Sequence, residues 1–173
     1  VVSNAQAQLE EIIVTATKRE ASVQDIPVTV TALSETTIRE SGINNLEDVA
    51  IQVPALSVTS NQAFSARIAI RGIGTAQNDP SLEASVAFIL DGVYMGRSGL
   101  GLNDLTDVER IEVLQGPQGT LYGKNSSAGV ISVVSQQPNT EEVEGYVEAT
   151  AGDYDLQKYV AAVSGPITDS LAY

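Results

Sequence analysis

A strand and a glycine-rich turn follow one another in the second half of the chain, in the sequence Val108-Glu109-Arg110-Ile111-Glu112-Val113-Leu114-Gln115-Gly116-Pro117-Gln118-Gly119-Thr120-Leu121-Tyr122-Gly123. The apolar positions of residues 108–114 predict a β-strand. The glycines of residues 116–129 permit positive φ angles and close approach of the backbone. We therefore expect the turn to lead directly into a second strand at residues 130–135, with Leu121 and Tyr122 packed between the two strands.

The same turn contains Gly123-Lys124, which invites comparison with a phosphate-binding loop. Such a loop requires a glycine, four further residues, Gly-Lys and then Ser or Thr. Gln118 stands where the first glycine belongs, and Asn125 stands where the hydroxyl residue belongs. The turn is therefore predicted to be architectural and not a nucleotide site.

Signals on either side of this stretch predict an α+β domain. Ser34 is a suitable N-cap for a short helix. Asn45 and Asp48 have the spacing of a capping box for a second helix, which Pro54 ends. Strands are predicted at residues 28–32, 56–59, 67–71 and 86–90, and a helical turn is predicted at residues 104–107.

The composition excludes several classes of function. The 173 residues include 9 Lys and Arg against 22 Asp and Glu, a net charge of −13, so nucleic acid is an unsuitable partner. The absence of Cys and His excludes thiolate catalysis, Ser-His triads and the usual zinc sites. With 43% hydrophobic residues the chain can form a core, and no stretch approaches the ~20 apolar residues of a membrane-spanning helix.

The N-terminal residues are predicted to be extended. Ala5-Gln6-Ala7 has the small-x-small form of a signal-peptidase site, so residues 1–7 are either a signal-peptide remnant or a chance match. Residues 8–24 form a flexible polar segment with one β-prone island, Ile12-Ile13-Val14. The island either becomes a strand by pairing with a partner or is an edge strand of the domain that begins at residue 25.

After Pro138 the helical signals end and alternating segments begin. In residues 143–152, Val, Gly and Ala occupy one face while Glu, Tyr and Thr occupy the other. A weaker alternation covers residues 155–165. Strands of about ten residues with one apolar face are typical of outer-membrane barrels. Because two strands cannot close a barrel, residues 140–173 are predicted to begin a longer one.

Charged side chains on the predicted strands admit two interpretations. Arg71 and Arg110 are each either buried against a carboxylate or exposed to solvent. Glu109 and Glu112 are predicted on opposite faces of one strand, which disfavours an acid–base pair and favours ion pairing.

Several motifs occur together in an order that resembles the plug domain of TonB-dependent outer-membrane receptors. The resemblance covers residues 9–139 and implies, for residues 25–139, an α+β plug domain with a small mixed sheet and short helices. It identifies residues 140–173 as the first antiparallel strands of the same family's transmembrane barrel. The stretch from Val108 to Gly123 is its most specific part, and the other motifs are Glu11-Ile12-Ile13-Val14-Thr15-Ala16, Ile70-Arg71-Gly72 and Ile89-Leu90-Asp91-Gly92-Val93.

The resemblance also implies roles for particular residues. Residues 11–16 are a TonB box, which pairs as a strand with the periplasmic protein TonB. Arg71, Glu109 and Arg110 pair with charged residues of the barrel wall, although Gln115 stands where the family often has Arg. The polar loops at residues 60–65, 72–84 and 94–103 are plug apices that contact an extracellular substrate, and the candidate contact residues are Asn61, Gln62, Phe64, Gln77, Asn78, Tyr94 and Arg97.

The function that the resemblance implies is TonB-dependent import of a scarce nutrient through the outer membrane of a Gram-negative bacterium. The plug lies in the barrel lumen, the N-terminus is periplasmic, and the barrel contacts outer-membrane lipid. An iron–siderophore complex is the expected substrate, although polar loops also suit a vitamin or a sugar. No cofactor, resident metal or catalysis is implied.

Two other classes of function stay open on the residues alone. One is a free-standing periplasmic or secreted binding module with a plug-like fold and no transport activity, for which residues 143–165 would be superfluous. The other is an enzyme, whose chemistry would rest on carboxylates and Lys124.

Overall fold

The computed structural model describes residues 13–14, 21–22, 26–62, 65–75, 82–96, 105–168 and 171–173. The chain divides into two units, Val1–Ser135 and Gln136–Tyr173. The first unit has the α+β fold predicted from the sequence, and the second contains antiparallel strands. Among the described residues, no helix is long and apolar enough to cross a membrane.

Two short helices of the first unit begin at the caps that the sequence predicts. Helix α1 (Glu35–Glu40) is capped by the Ser34 hydroxyl, which accepts a backbone amide of the first turn. Helix α2 (Leu46–Gln52) has a reciprocal capping box, in which the Asn45 and Asp48 side chains each accept the other residue's backbone amide. These side chains satisfy amides that have no partner within the helix.

A mixed β-sheet forms the centre of the first unit. The strands of this unit are β1 (Ile13–Val14), β2 (Ala21–Ser22), β3 (Thr29–Ser34), β4 (Leu56–Gln62), β5 (Ser65–Ile70), β6 (Val86–Leu90), β7 (Val93–Tyr94), β8 (Val108–Gln115) and β9 (Gly129–Ser135). The central sheet has the order β3-β8-β9-β6-β7, in which β6 and β9 are parallel and the other neighbours antiparallel. Separate antiparallel pairs are formed by β1 with β2 and by β4 with β5.

Both faces of the central sheet are covered by apolar side chains. Since successive residues of a strand point to opposite faces, Val113 and Leu114 belong to different clusters. The larger cluster packs the sheet against α1, α2 and the β4–β5 hairpin. The smaller cluster, on the opposite face, consists of Val14, Ala87, Ile89, Leu114 and Val130.

The glycine-rich turn between β8 and β9 contains a third helix, α3 (Gly119–Tyr122). At the end of the turn, Gly129 has a φ of +154°, and an added Cβ would overlap the Leu114 carbonyl oxygen. Glycine is therefore required where β9 begins beside β8.

The prediction of a helical turn at residues 104–107 is wrong for residues 105–107, which are the part that the structure describes. Residues 105–107 are not helical, and Asp107 has a φ of +59°. The Leu105 amide donates to the Asn44 carbonyl oxygen at 2.6 Å, so this segment is held by a distant loop and not by bonds of its own.

The second unit is an antiparallel hairpin followed by two short strands. Val147 pairs with Ala161, and Ala149 pairs with Tyr159, so the apolar face predicted for residues 143–152 continues onto the second strand. On the opposite face Glu148 pairs with Val160, which agrees with the weaker alternation of residues 155–165. The strands are β10 (Glu144–Ala151), β11 (Gln157–Ser164), β12 (Pro166–Thr168) and β13 (Leu171–Ala172).

Candidate functional site

The N-terminal island forms a strand inside its own chain. In β1, Ile13 pairs with Ser22 and Val14 pairs with Ala21. The pair is a two-stranded sheet of its own, so β1 is not an edge strand of the central sheet. The neighbouring residues predicted to share its function, Glu11, Ile12, Thr15 and Ala16, lie outside the described residues.

Val14 is the anchor of this strand. Its side chain is fully buried in the smaller apolar cluster, at 0% exposure. We call this site the Val14 pocket. Burying a valine side chain contributes about 1.5–3 kcal/mol, so the pocket holds the segment firmly but reversibly. The pocket is formed by Ala87, Ile89, Leu114 and Val130, with Ile26, Val30, Ala32 and Tyr122 packed around it.

A charged cluster lies on the face of β8 that also carries Leu114 of the Val14 pocket. Arg110 Nε is 2.9 Å from Glu112 Oε1, and its Nη1 also pairs with Glu109. The Glu112 side chain is fully buried, and that of Arg110 is 16% exposed. Desolvation at this depth requires that charges be paired. Arg110 therefore belongs to the buried alternative of the sequence analysis.

The ion pairing predicted for Glu109 and Glu112 is confirmed, and one arginine reaches both of them. The register shifts between Val108 and Arg110, so Glu109 is the extra residue of a β-bulge. A bulge turns its side chains away from regular alternation. The structure thus brings Glu109 and Arg110 together, and Glu112 is the buried partner of Arg110.

Tyr122, in α3, lies beside both the Val14 pocket and the Glu112 carboxylate. Its ring packs against the pocket. Partial burial raises the pKa of the Tyr122 phenol above its ordinary value of 10.0, and the nearby Glu112 carboxylate raises it further. The phenol is therefore neutral at physiological pH.

Arg71 lies apart from the buried cluster. Its side chain is exposed, and its Nε donates to Gln115 Oε1 at 2.9 Å. Gln115 Nε2 in turn donates to the Thr31 hydroxyl at 3.4 Å. Gln115, which departs from the family's usual Arg, is thus a neutral acceptor that orients the Arg71 guanidinium instead of repelling it.

The predicted substrate residues are only partly described. Asn61 and Gln62 lie in β4 rather than in a loop, because the β4–β5 ladder extends to the pair of Gln62 with Ser65. Tyr94 lies in β7, and its hydroxyl accepts from Asn125 Nδ2 at 2.7 Å. Phe64, Gln77, Asn78 and Arg97 lie outside the described residues.

Contacts of the glycine-rich turn were not foreseen from the sequence. Lys124 Nζ lies 2.6 Å from Glu83 Oε1, at the surface. The hydrogen bond that Lys124 donates to Glu83 and the negative charge of that carboxylate both raise the pKa of Lys124. Lys124 and Asn125 follow the motif that determines the turn, but no sequence pattern indicates their partners, which are 41 and 31 residues away.

The apolar face of β10 and β11 in the second unit is exposed. Val147 is 82% exposed and Tyr159 is 74% exposed. A face of this kind is suited to a hydrocarbon environment or to a further protein surface. As for metal sites, the described part of the chain contains no group of three Asp or Glu residues arranged to hold an ion.

Comparisons with known proteins agree with this geometry. The family model described as TonB-dependent Receptor Plug Domain matches residues 22–130, which confirms the resemblance noted in the sequence. The pesticin receptor of Yersinia pestis is 33% identical over 180 residues, covering 99% of this chain and 26% of that protein. The vitamin B12 transporter BtuB of Vibrio vulnificus is 32% identical over 155 residues, covering 86% of this chain and 24% of that protein.

A solved structure gives the same result in three dimensions. The ferric yersiniabactin uptake receptor FyuA from Yersinia pestis superposes with a TM-score of 0.75 at 33% identity, covering 83% of this chain and 22% of that chain. The present chain therefore spans about a quarter of the length of the curated relatives it matches.

Proposed function

Because the chain belongs to the plug-domain family of TonB-dependent receptors, which lie in the outer membrane of Gram-negative bacteria, we propose that its protein imports a ferric siderophore through that membrane. In this proposal residues 25–139 are the plug, and residues 140–173 are the first strands of the barrel. Residues 8–24 carry the TonB box, and residues 1–7 are the remnant of a signal peptide. The protein transports its ligand and does not transform it.

The observation that carries the proposal is the docking of Val14. TonB would recognise the segment by adding a strand to it, a mode that needs a free backbone edge. In the structure one backbone edge of β1 pairs with two residues of β2, and Val14 is buried in the pocket. So short a pairing is easily exchanged for a longer one.

Substrate binding at the plug apices would favour the state in which the segment is undocked. TonB, driven by the inner-membrane proton gradient, would then pair with it and pull on the plug. Arg71, Glu109 and Arg110 would hold the plug in place until that pull. A ligand shifts such an equilibrium only by its different affinity for the two states.

We favour a ferric chelate over a vitamin because FyuA, which shares the fold of this chain at 33% identity, is named as a ferric yersiniabactin uptake receptor. Tyr94, at the surface of β7, offers an aromatic ring and a hydroxyl to such a ligand. The candidate contacts Asn61, Gln62, Phe64, Gln77, Asn78 and Arg97 belong to the same proposal.

The test is deletion of residues 11–16 in the full-length protein. Cells that express the variant are expected to bind a radiolabelled ferric siderophore at the surface, chosen from a panel by binding to the unaltered protein, but to accumulate none of it. Intact surface binding is the control for folding. Undiminished accumulation by the deletion variant would refute the proposal.

A further inference from the structure

The first unit ends at Ser135, and the side chain of Asp91, which lies 44 residues earlier in the chain, holds that residue in place. Asp91 Oδ1 accepts the Ser135 backbone amide at 2.8 Å, and Asp91 Oδ2 accepts the Ser135 hydroxyl at 2.8 Å. The Asp91 amide also donates to the Val133 carbonyl oxygen at 3.0 Å. We call these three bonds the exit clamp. Neither the fold nor the proposed import assigns them a role.

The exit clamp takes the place of a neighbouring strand that has already ended. The parallel ladder of β6 and β9 stops at the pair of Leu90 with Val133, because the chain turns back at Asp91 and Gly92 to form β7. The Ser135 amide, two residues further along β9, therefore has no backbone partner in β6, and the Asp91 carboxylate accepts it instead. A hydrogen bond to a charged acceptor is about twice as strong as one between neutral groups.

The backbone at residue 91 shows that the clamp, and not the turn, requires an aspartate there. Asp91 has a φ of +48° and Gly92 a φ of +79°, the two positive angles that a two-residue I′ hairpin turn needs. Glycine adopts such angles without steric cost, whereas a residue with a Cβ is strained. Aspartate at this position therefore adds strain, which its side-chain bonds offset.

A second set of bonds fixes the chain just after it enters the second unit. The Asn139 amide donates to the Ser164 hydroxyl oxygen at 2.7 Å, at the end of β11. The Asn139 side chain in turn accepts the backbone amides of Glu141 and Glu142, at 2.8 and 3.1 Å. Asn139 is thus held both by the end of a strand and by the segment that leads to β10. We call these bonds the entry clamp.

Three residues, 136–138, lie between the two clamps and form the link. Pro138 has a fixed φ and restricts Gln137 to extended conformations, so the link is stiff as well as short. The four peptide units from Ser135 to Asn139 span at most about 14 Å when fully extended. A pull on the first unit therefore loads the exit clamp directly, because the link has no slack to absorb it.

We propose that Asp91 is a positioning residue that anchors the end of β9 against tension, so that a pulled first unit does not peel away from the link at Ser135. The inference rests on the proposed function for the source of the tension, which would be TonB. Bonds that carry a load determine how fast a structure yields to it, while spontaneous opening of the core depends on contacts elsewhere. Loss of the exit clamp therefore matters more under tension than at rest.

The test applies tension without TonB or a siderophore. The full-length protein is placed in phosphatidylcholine vesicles, and its N-terminus is pulled at constant force with optical tweezers. Asp91→Gly removes the carboxylate and relaxes the backbone, and the folded first unit is expected to yield about tenfold faster under tension. Asp91→Asn keeps an oxygen acceptor and tolerates a positive φ, so it is expected to yield within about threefold of the unaltered rate.

A matched control and a measurement at rest separate anchoring from general loosening. Asp107 also has a positive φ, +59°, and its side chain accepts no hydrogen bond from the described residues, so Asp107→Gly relaxes similar strain without removing a clamp. Its rate of yielding is expected to lie within about twofold of the unaltered rate. At rest, amide hydrogen exchange in Asp91→Gly should be about tenfold faster at Ser135 and unchanged at Ile131, in the middle of β9.

Three results would overturn the proposal. The first is an Asp91→Gly protein that yields under tension at the unaltered rate, or no faster than Asp107→Gly. The second is an equal acceleration of exchange at Ile131, which would mean that the substitution loosens the whole core. The third is an Asp91→Asn protein that yields as fast as Asp91→Gly. None of these measurements involves uptake, so their outcome is independent of the test of import.

Discussion

Removal of the Arg110 guanidinium by the substitution Arg110→Met is expected to destabilise the first unit severely. The guanidinium lies 2.9 Å from Glu112, whose side chain is fully buried. Breaking a buried pair in this way costs about 3–5 kcal/mol, because a carboxylate stays buried without its compensating charge. The loss is large against the ~5–15 kcal/mol that stabilises a typical domain.

Urea unfolding of the chain, followed by far-ultraviolet circular dichroism, measures this loss. The combination of Arg110→Met with Glu112→Leu buries no charge, so its free energy of unfolding is expected to lie within about 1 kcal/mol of the unaltered chain. Arg39→Met is the matched control, since it breaks an exposed pair with Glu35 at 2.8 Å and should cost about 0.3–0.5 kcal/mol. The reasoning is refuted if Arg110→Met costs no more than Arg39→Met, or if Glu112→Leu fails to rescue it.

Four other expectations can be checked on the same chain. Asn45→Ala removes the capping box of α2 and should lower the free energy of unfolding by about 1 kcal/mol in urea denaturation. Gly129→Ala should cost far more than Gly96→Ala in the same assay, because a Cβ overlaps the Leu114 carbonyl at the first position and meets nothing within 4 Å at the second. The pKa of Tyr122 is raised above 10.0 in the folded protein. The contribution of the neutral phenol to stability is therefore complete below pH 10.0 and is lost as the pH rises through the pKa of the folded protein. In Tyr122→Phe the urea midpoint should accordingly fall less steeply at alkaline pH than in the unaltered chain. Val14→Ala removes about 1–2 kcal/mol of docking and should lower the free energy of unfolding by that amount in the same urea assay, and an unchanged value would contradict the Val14 pocket.

Local signals predicted the elements well where one residue type fixes a conformation. The caps at Ser34 and Asn45 mark the starts of α1 and α2 because their side chains bond within the same turn. The apolar run of β6 marked its bounds, Val86–Leu90, because a strand covered on both faces has no polar position. Where a segment is held by distant groups, as at residues 105–107, the local signal was misleading.

The order of the sequence motifs along the chain was enough to identify the family. Motifs such as Ile70-Arg71-Gly72 and the stretch ending at Gly123 combine turn glycines with strand residues, and the match to residues 22–130 confirms their meaning. The α+β fold and the outer-membrane location follow from that family. The roles of the individual site residues and the limits of the domains stay predictions.

The sequence by itself determined the helices α1 and α2 and the strands β6 and β8, because these depend on neighbours a few residues apart. Only the tertiary structure decided that Val14 is buried against Leu114, that a bulge lets Arg110 reach both Glu109 and Glu112, and that residues 119–125 contact Glu83 and Tyr94. These contacts join residues far apart in the chain through the register of the sheet. Burial and pairing depend on that register, and no local pattern of residues encodes it.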